Sequence, residues 1–175
     1  MLDGPIKLLF AGPVGAGKTT AIRALSDVAP VSTEVPLSSG ATLEKSTTTV
    51  AFDYSTIRID DDDSIHLYGI PGQDHFDFMR PIIANGALGV IVLLDATSTS
   101  LHDDCVHWLS SLAGINSNLQ FVIGISKTDI APDFSLHDVR SGMRQCGINA
   151  PAMCVDPRDS KQCTQLVRAL LLSLP

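Results

Sequence analysis

The stretch of sequence that decides the fold reads G-P-V-G-A-G-K-T-T and occupies residues 12–20. It fits the pattern G-x-x-x-x-G-K-[ST], with Gly12, Gly17, Lys18 and Thr19 in the defining places. Glycines let the backbone curl so that successive N–H groups point at one anion, and a following helix adds the positive end of its dipole. The pattern therefore predicts a phosphate-binding loop, in which Lys18 contacts the terminal phosphates and the Thr19 hydroxyl is placed to bind Mg²⁺.

The segments on both sides of this loop support the prediction. Residues 6–11 form a short apolar run typical of a buried strand, and residues 20–25 have the spacing of a helix. A strand before the motif and a helix after it are the context that a true phosphate loop requires. We expect the whole loop to line the phosphates, through Gly12, Val14, Gly15, Ala16, Gly17, Lys18, Thr19 and Thr20.

Composition limits the partners. The chain has 175 residues, a formal net charge of −7 at pH 7 and a pI near 4.9. This acidic balance argues against nucleic acid or an anionic membrane surface as the main partner. The four cysteines lack CxxC and metal-ligand spacing, so we expect reduced, packed thiols in a cytoplasmic protein. We expect no membrane span, because the longest apolar stretch, residues 87–94, is too short. We also expect no signal peptide, because residues at the start lack a basic segment followed by a long apolar one, and no lipid anchor, because neither a myristoyl nor a prenyl signal is present.

The rest of the chain alternates between strand and helix patterns. Strands are predicted at 5–11, 49–60, 64–70, 88–94, 119–125 and 150–155, and helices at 18–28, 76–84, 100–113, 136–146 and 160–173. Four aspartates at residues 60–63 predict a turn that makes the second and third strands a hairpin. The order predicts one α/β domain over residues 1–175, with three layers and a mostly parallel six-stranded sheet that contains one antiparallel strand.

Residues 29–48 are rich in Ser, Thr, Pro and Gly and show no clear periodicity. A loop of this length in a small domain is usually functional. We expect a mobile switch loop here, and the alternative is a plain surface loop.

Four motifs, taken together, resemble those of Ras-like small GTPases in order and spacing. After the phosphate loop come T-V-A-F-D-Y at residues 49–54, G-I-P-G-Q at 69–73 and S-K-T-D at 126–129. The details are most similar to bacterial small GTPases of the gliding-motility and conservon type, which carry T-T-V-A-x-D-[FY] and G-x-P-G-Q. The resemblance covers essentially the whole chain and implies the small G-protein form of the P-loop NTPase fold.

The resemblance implies roles for residues around the γ-phosphate. Thr49 would bring oxygens to Mg²⁺ and the γ-phosphate, although four consecutive hydroxyl residues at 46–49 leave room for a slip by one. The Gly72 N–H would bind the γ-phosphate. Gln73 would orient the attacking water, so Gln73 and Lys18 are the predicted catalytic residues.

The resemblance also implies a base-binding set: Ser126, Lys127, Asp129, Asp156 and Pro157. Asp129 would accept hydrogen bonds from guanine N1–H and N2–H₂, whereas adenine presents an acceptor at N1. Lys127 would lie along the base. The end of the last strand would present a backbone N–H to the guanine oxygen. Ser126 stands where the family has Asn, so we expect guanine preference to be kept but weakened.

One departure concerns the metal. The family's switch aspartate, which positions Mg²⁺ through water, is Gly69 here. A hairpin centred on residues 61–62 would set Asp53 opposite Gly69 or its next two neighbours, on the same sheet face. A carboxylate on an apolar face needs a partner. We therefore predict that Asp53 replaces the missing carboxylate and serves Mg²⁺, the alternative being a solvent-facing aspartate on an edge strand.

Two further departures concern catalysis. Val14 stands where Ras has a glycine near the γ-phosphate, and residues 29–48 contain no arginine. We expect slow hydrolysis of GTP to GDP, accelerated by an activating partner. The leading interpretation is a GTP-hydrolysing molecular switch with effectors and roadblock-type or GTPase-activating regulators. The second is a GTP-binding interaction module with little hydrolysis, and a phosphate-loop kinase is disfavoured because no Arg-rich lid is present.

Overall fold

The phosphate-loop motif lies at the centre of a sheet flanked by helices on both faces. The computed structural model describes residues 6–26, 31–37, 48–59 and 64–175. In these residues the strands are β1 (Ile6–Ala11), β2 (Val31–Leu37), β3 (Thr48–Arg58), β4 (Ser64–Gly69), β5 (Gly89–Asp95), β6 (Gln120–Ser126) and β7 (Ala152–Cys154). The α-helices are α1 (Lys18–Leu25), α2 (Arg80–Ala84), α3 (Leu101–Ile115), α4 (Leu136–Gln145) and α5 (Ser160–Leu171), and a 3₁₀ helix (Asp74–Met79) precedes α2.

The described strands form one sheet in the order β2-β3-β4-β1-β5-β6-β7. β3 is antiparallel to both of its neighbours, and the pairs from β4 to β7 are parallel. The predicted fold class, a three-layer α/β fold with a mostly parallel sheet and one antiparallel strand, is confirmed. Parallel strands place their carboxyl ends, and the loops that follow them, at one edge of the sheet.

The two faces of the sheet carry separate cores. Alternation along β1 sends Leu8 and Phe10 to one face and Leu9 and Ala11 to the other, and all four are fully buried. The first face packs against α1 and α5, and the second against α2, α3 and α4. Burial on both faces explains why the central strands read as continuous apolar runs.

The sheet contains β2 in addition to the six strands predicted from the sequence. It falls within residues 29–48, where a mobile loop was predicted, and it pairs with β3 from Val31↔Tyr54 to Leu37↔Thr48. The loop prediction is therefore wrong for residues 31–37. An edge strand tolerates a residue such as Pro36, because one of its sides forms no ladder hydrogen bonds. Val31, Thr33, Val35 and Leu37 alternate with Ser32, Glu34 and Pro36, but the serine, threonine and proline content of the segment favoured a loop. The rest of the predicted switch loop, residues 38–47, lies outside the described residues.

The cysteines behave as packing groups. Cys105 and Cys163 are buried, Cys146 is half-buried and Cys154 is exposed, and all four are free thiols. Burial raises the pKa of Cys105 to about 12 and that of Cys163 to about 11. The two buried thiols therefore stay protonated and inert at neutral pH.

Arg80, at the start of α2, is a charged residue in the core. It is 2% exposed, and its guanidinium pairs with Asp77 at 2.7 Å and donates to Ser111 Oγ at 2.9 Å. Both terminal nitrogens lie 3.3 Å from His107 Nε2, which must be the acceptor because arginine only donates. The guanidinium carbon also lies 4.1 Å from the centroid of the Trp108 ring. Arg80 thus fastens the segment after the G-I-P-G-Q motif to α3.

Replacing Arg80 should destabilise the fold. Arg80→Ala leaves the Ser111 and His107 acceptors without their donor and opens a cavity beside Trp108, so we expect the free energy of unfolding to fall by about 2–3 kcal/mol. Urea unfolding measures this change. Arg140→Ala, at an exposed position of α4, is the control and should cost less than about 0.5 kcal/mol. Equal losses in the two variants would contradict the anchoring role of Arg80.

Candidate functional site: a pocket at the carboxyl edge of the sheet

The loop between β1 and α1 has the backbone geometry that its glycines permit. Gly12 and Gly17 have φ angles of 136° and 101°, values that side chains strongly disfavour. A Cβ on Gly12 would lie 2.0 Å from the carbonyl oxygen of Leu93 on β5. The loop is therefore pressed against the neighbouring strand, and only glycine fits at its start.

Lys18 points back into this loop. Its ammonium group donates to the carbonyls of Gly12 at 2.8 Å and Pro13 at 2.7 Å. Burial lowers the pKa of Lys18 to about 8, although the negative charge of Asp53 acts in the opposite direction. Burial removes water that would stabilise the charge of the Lys18 ammonium group. A phosphate bound beside it would supply negative charge instead and would favour the protonated form.

Thr19 and Asp53 meet at the base of the loop. The Thr19 hydroxyl donates to the Asp53 carboxylate. The hairpin pairs Tyr54 with Tyr68, so Asp53 falls beside Gly69, as predicted. A Cβ on Gly69 would lie 3.1 Å from the Asp53 Cβ and 3.3 Å from its Oδ2. The carboxylate therefore occupies the space that a side chain at residue 69 would fill.

This arrangement excludes the alternative of a solvent-facing aspartate on an edge strand. β3 lies between β2 and β4 in the described sheet, and Asp53 is half-buried and bonded to Thr19. The role of Asp53 in binding Mg²⁺ remains a prediction. The side chain of Thr49, the other predicted metal ligand from β3, lies outside the described residues.

Gly72 and Gln73 lie beside the phosphate loop. A Cβ on Gly72 would come within 2.7 Å of the Val14 nitrogen, so this backbone closes directly on the loop. Val14 is 62% exposed, and Gln73 is exposed just before the 3₁₀ helix. Both residues line one cavity of about 420 Å³, together with Lys18, Thr19 and Asp53. The predicted catalytic and metal-binding side chains that the structure describes are thus brought together.

A second cavity, of about 580 Å³, lies on the other side of the loop. Its volume suits a ligand of nucleoside size. Gly15 and Gly17 of the phosphate loop line it. So do all five residues predicted to bind the base: Ser126, Lys127, Asp129, Asp156 and Pro157. The two cavities share Gly15 at the phosphate loop, so one nucleotide could extend from one into the other.

Ser126 still ties the base-side loop to the phosphate loop. Its hydroxyl is buried and lies 2.8 Å from the Ala16 carbonyl and 3.1 Å from the Leu94 carbonyl. The sequence predicted a weakened guanine preference, because the amide that ties the two loops together in the family is missing here. The short hydroxyl supplies a direct bond to the phosphate loop instead.

Asp95 is a residue that sequence reasoning missed. Its carboxylate accepts a hydrogen bond from the Lys127 ammonium group. Burial disfavours the charge of Asp95, but hydrogen bonds from Lys127 and Thr97 outweigh it and hold the pKa of Asp95 below its usual value. Lys127 has a φ of 60°, and its Nζ lies 3.9 Å from the position of a Cβ on Gly15. Asp95 thus holds Lys127 over the phosphate loop. In the sequence, this role could have been suspected from the position of Asp95 at the end of a buried strand.

The segment after β7 differs from the expected arrangement. The Asp156 N–H donates to Gln162 Oε1 at 2.9 Å, and the Arg158 N–H donates to Asp156 Oδ1 at 2.9 Å. Pro157 has no N–H, and its ring packs on the phosphate loop, 2.6 Å from the position of a Cβ on Gly17. Residues 156–158 therefore have no free backbone N–H to offer to a guanine oxygen in the described structure.

Two findings concern what the described residues lack. They contain no group of three His, Cys, Asp or Glu side chains that could hold a metal by themselves. That finding does not cover a magnesium site whose ligands would include a threonine hydroxyl and the oxygens of nucleotide phosphates. Among the same residues, every helix is too short or too polar to cross a membrane.

Comparisons with known proteins identify relatives of this chain. An uncharacterised protein of Methanocaldococcus jannaschii is 30% identical over 132 residues, which are 74% of this chain and 75% of that protein. The mutual gliding-motility protein MglA of Myxococcus xanthus is 24% identical over 81% of this chain and 77% of its own length. The GTP-binding protein yptV2 of Volvox carteri is 22% identical over 80% of this chain and 61% of its own length.

These similarities to small GTP-binding proteins, together with the phosphate loop, support nucleotide binding by a P-loop fold. A family model described as "conserved hypothetical ATP binding protein" matches residues 38–171. That match begins after the phosphate loop and covers β3, the G-I-P-G-Q segment and the base-side loop. The chain belongs to this family of conserved hypothetical ATP-binding proteins.

Proposed function

We propose that this chain is a small GTP-binding protein that acts as a molecular switch and hydrolyses GTP slowly with Mg²⁺. One observation carries the proposal: the phosphate loop and the loop of residues 126–129 line one cavity of nucleoside size. A purine in that cavity would place its phosphates on the loop around Lys18. The adjoining cavity, with Gln73, Asp53 and Thr19, would then surround the γ-phosphate.

Guanine fits this cavity better than adenine does. Asp129 lies on the cavity wall, and its carboxylate only accepts hydrogen bonds when ionised. Guanine offers the N1–H and N2–H₂ donors to such a group, whereas adenine presents an acceptor at N1. An adenine there would leave buried acceptors facing each other, which is the strongest basis for rejecting an analogue. The family's description names ATP, so adenine nucleotides are the competing ligand.

Thr19 and Asp53 fit a magnesium ion. Their oxygens are the hard donors that Mg²⁺ prefers, and the absent side chain at Gly69 leaves the Asp53 carboxylate room beside the Thr19 hydroxyl. Thr19 would bind the ion directly, and Asp53 would order its water ligands. When bound, Mg²⁺ neutralises charge on the β- and γ-phosphates.

Hydrolysis should be slow without help. Gln73 is placed to orient a water, but Val14 projects into the same cavity. No arginine is among the described residues that line this cavity. An arginine supplied by a partner is worth about 10³–10⁵ in rate, so a regulatory protein would control the lifetime of the GTP-bound state. The exposed Val14 also supports the second candidate, an interaction module that barely hydrolyses.

Turnover measurements separate the two candidates. We expect the isolated protein to hydrolyse GTP at below about 0.01 s⁻¹, and Gln73→Ala to be at least about tenfold slower because the water loses its orientation. Gln145→Ala, at the exposed end of α4, is the control and should keep the wild-type rate. Equal rates for Gln73→Ala and wild type would favour the interaction module, and unaided turnover at about 1 s⁻¹ would contradict the need for an activator.

The predicted role of Asp53 is tested through magnesium. Mg²⁺ should slow GDP release from the wild-type protein, and Asp53→Asn should raise the Mg²⁺ concentration needed for half of this effect by about 10–100-fold. Stopped-flow release of a fluorescent GDP, titrated with Mg²⁺, gives the value. Asp103→Asn, at an exposed position of α3, should match the wild type. A Mg²⁺ dependence unchanged by Asp53→Asn would remove Asp53 from the metal site.

A further inference from the structure

In the described structure, residues 155–159, where the chain leaves β7, have no backbone N–H free to donate. The N–H groups of Val155 and Asp159 bind the carbonyls of Ile125 and Asp156, each at 2.9 Å. Those of Asp156 and Arg158 bind side-chain oxygens, and Pro157 has none. Guanine carries a carbonyl oxygen, O6, on the edge next to the N1–H that Asp129 would accept. That oxygen needs a donor, since an unpaired buried acceptor is costly.

The guanidinium of Arg158 has hydrogen-bond donors that its contacts with the described residues do not use. It lines the same cavity as Asp129 and Pro157. Its Nε donates to Asp156 Oδ1 at 2.8 Å, and its Nη2 donates to Asp156 Oδ2 at 2.7 Å. Within the described part of the chain its Nη1 has no hydrogen-bond partner. The guanidinium is therefore held in place on one edge while its other edge is free to donate.

Two electrostatic observations concern the charge of this pair. Hydrogen bonds from Arg158 lower the pKa of Asp156 to about 2, so the Asp156 carboxylate stays ionised opposite Arg158 at physiological pH. The negative charge of Asp129 also acts on Arg158, after the larger effect of Asp156. Arg158 and Asp129 also line the same cavity, so a purine base bound there would meet both charges.

We propose that Arg158 determines base specificity by donating a hydrogen bond from its guanidinium to guanine O6, in place of the backbone N–H that Pro157 removes. This inference rests on the proposed binding of GTP and GDP. Asp156 is the positioning residue, because its bidentate contact fixes the plane of the guanidinium. The cavity then presents an acceptor, Asp129, beside a donor, Arg158. This pair complements the N1–H donor and the O6 acceptor of guanine.

The same pair disfavours adenine at a second point. Adenine carries an amino group where guanine has O6, and that group donates. An arginine has no acceptor to offer it, so two donors would face each other. Rejection of adenine would thus rest on two charged side chains rather than on one side chain and the backbone.

The test compares GDP with 6-thio-GDP, which keeps N1–H and N2–H₂ but carries sulfur, a weak acceptor, in place of O6. We expect the wild-type protein to bind GDP at least about tenfold more tightly than 6-thio-GDP. Arg158→Ala should lose affinity for GDP but not for 6-thio-GDP, so the ratio falls towards one. Calorimetric titration of each purified, nucleotide-free variant gives both dissociation constants. A general defect in folding would lower both affinities and leave the ratio unchanged.

Three further variants make the result specific. Arg168→Ala, at an exposed position of α5, removes the same charge away from the cavity and should keep the wild-type ratio. Arg158→Lys keeps a donor and should retain part of the ratio. Adding Pro157→Ala to Arg158→Ala restores a backbone N–H at residue 157 and should recover preference for GDP.

The outcomes distinguish this inference from the function on which it rests. Tight GDP binding with a ratio that collapses in Arg158→Ala supports both. Tight GDP binding with an unchanged ratio overturns the role of Arg158 and points to the Asp156 N–H, released from Gln162, as the donor. Failure of the wild-type protein to bind GDP overturns the proposed function and the inference together.

Discussion

The close approach of the phosphate loop to strand β5 is the constraint on which the rest of the site depends. The Leu93 carbonyl oxygen stands where a side chain of residue 12 would begin, so the chain must leave β1 through a glycine. From that point the loop turns over the central strands and feeds α1 into the sheet face. Lys18 then closes the loop by bonding the carbonyls of Gly12 and Pro13. In a phosphate loop of this kind, the backbone N–H groups would form the anion site.

Neighbouring strands complete the site by contributing single side chains, β5 and β6 from their carboxyl ends and the antiparallel β3 from its middle. β6 ends in Ser126, whose hydroxyl donates a hydrogen bond to the Ala16 carbonyl of the phosphate loop. β5 ends in Asp95, which fixes Lys127. On the other side, β3 brings Asp53 into the gap at Gly69, where it meets Thr19. Each contact joins residues that are far apart in the sequence, so the integrity of the sheet and the geometry of the site are linked.

Much of this could be predicted from the sequence, and the failures have physical causes. The phosphate loop and the buried strands were predictable because both depend on local residue types, glycines in one case and apolar runs in the other. The position of Asp53 beside Gly69 followed from the hairpin turn, since register fixes which residues face each other. β2 was missed because the serine, threonine and proline content of the segment favoured a loop. Arg80 was missed because an arginine reads as a surface residue until His107, Ser111 and Trp108 are known to surround it.

The residues around the base-binding cavity could also be predicted only in part from the sequence. That Pro157 lacks an N–H can be read directly from the sequence, but the engagement of the Asp156 and Arg158 N–H groups depends on side chains placed by the fold. The most direct measurement of the central claim, that this is a guanine-nucleotide protein, is mass spectrometry of the nucleotide that co-purifies with it. We expect GDP or GTP, released on denaturation in an amount comparable to the protein. ADP or ATP in that place would contradict the claim.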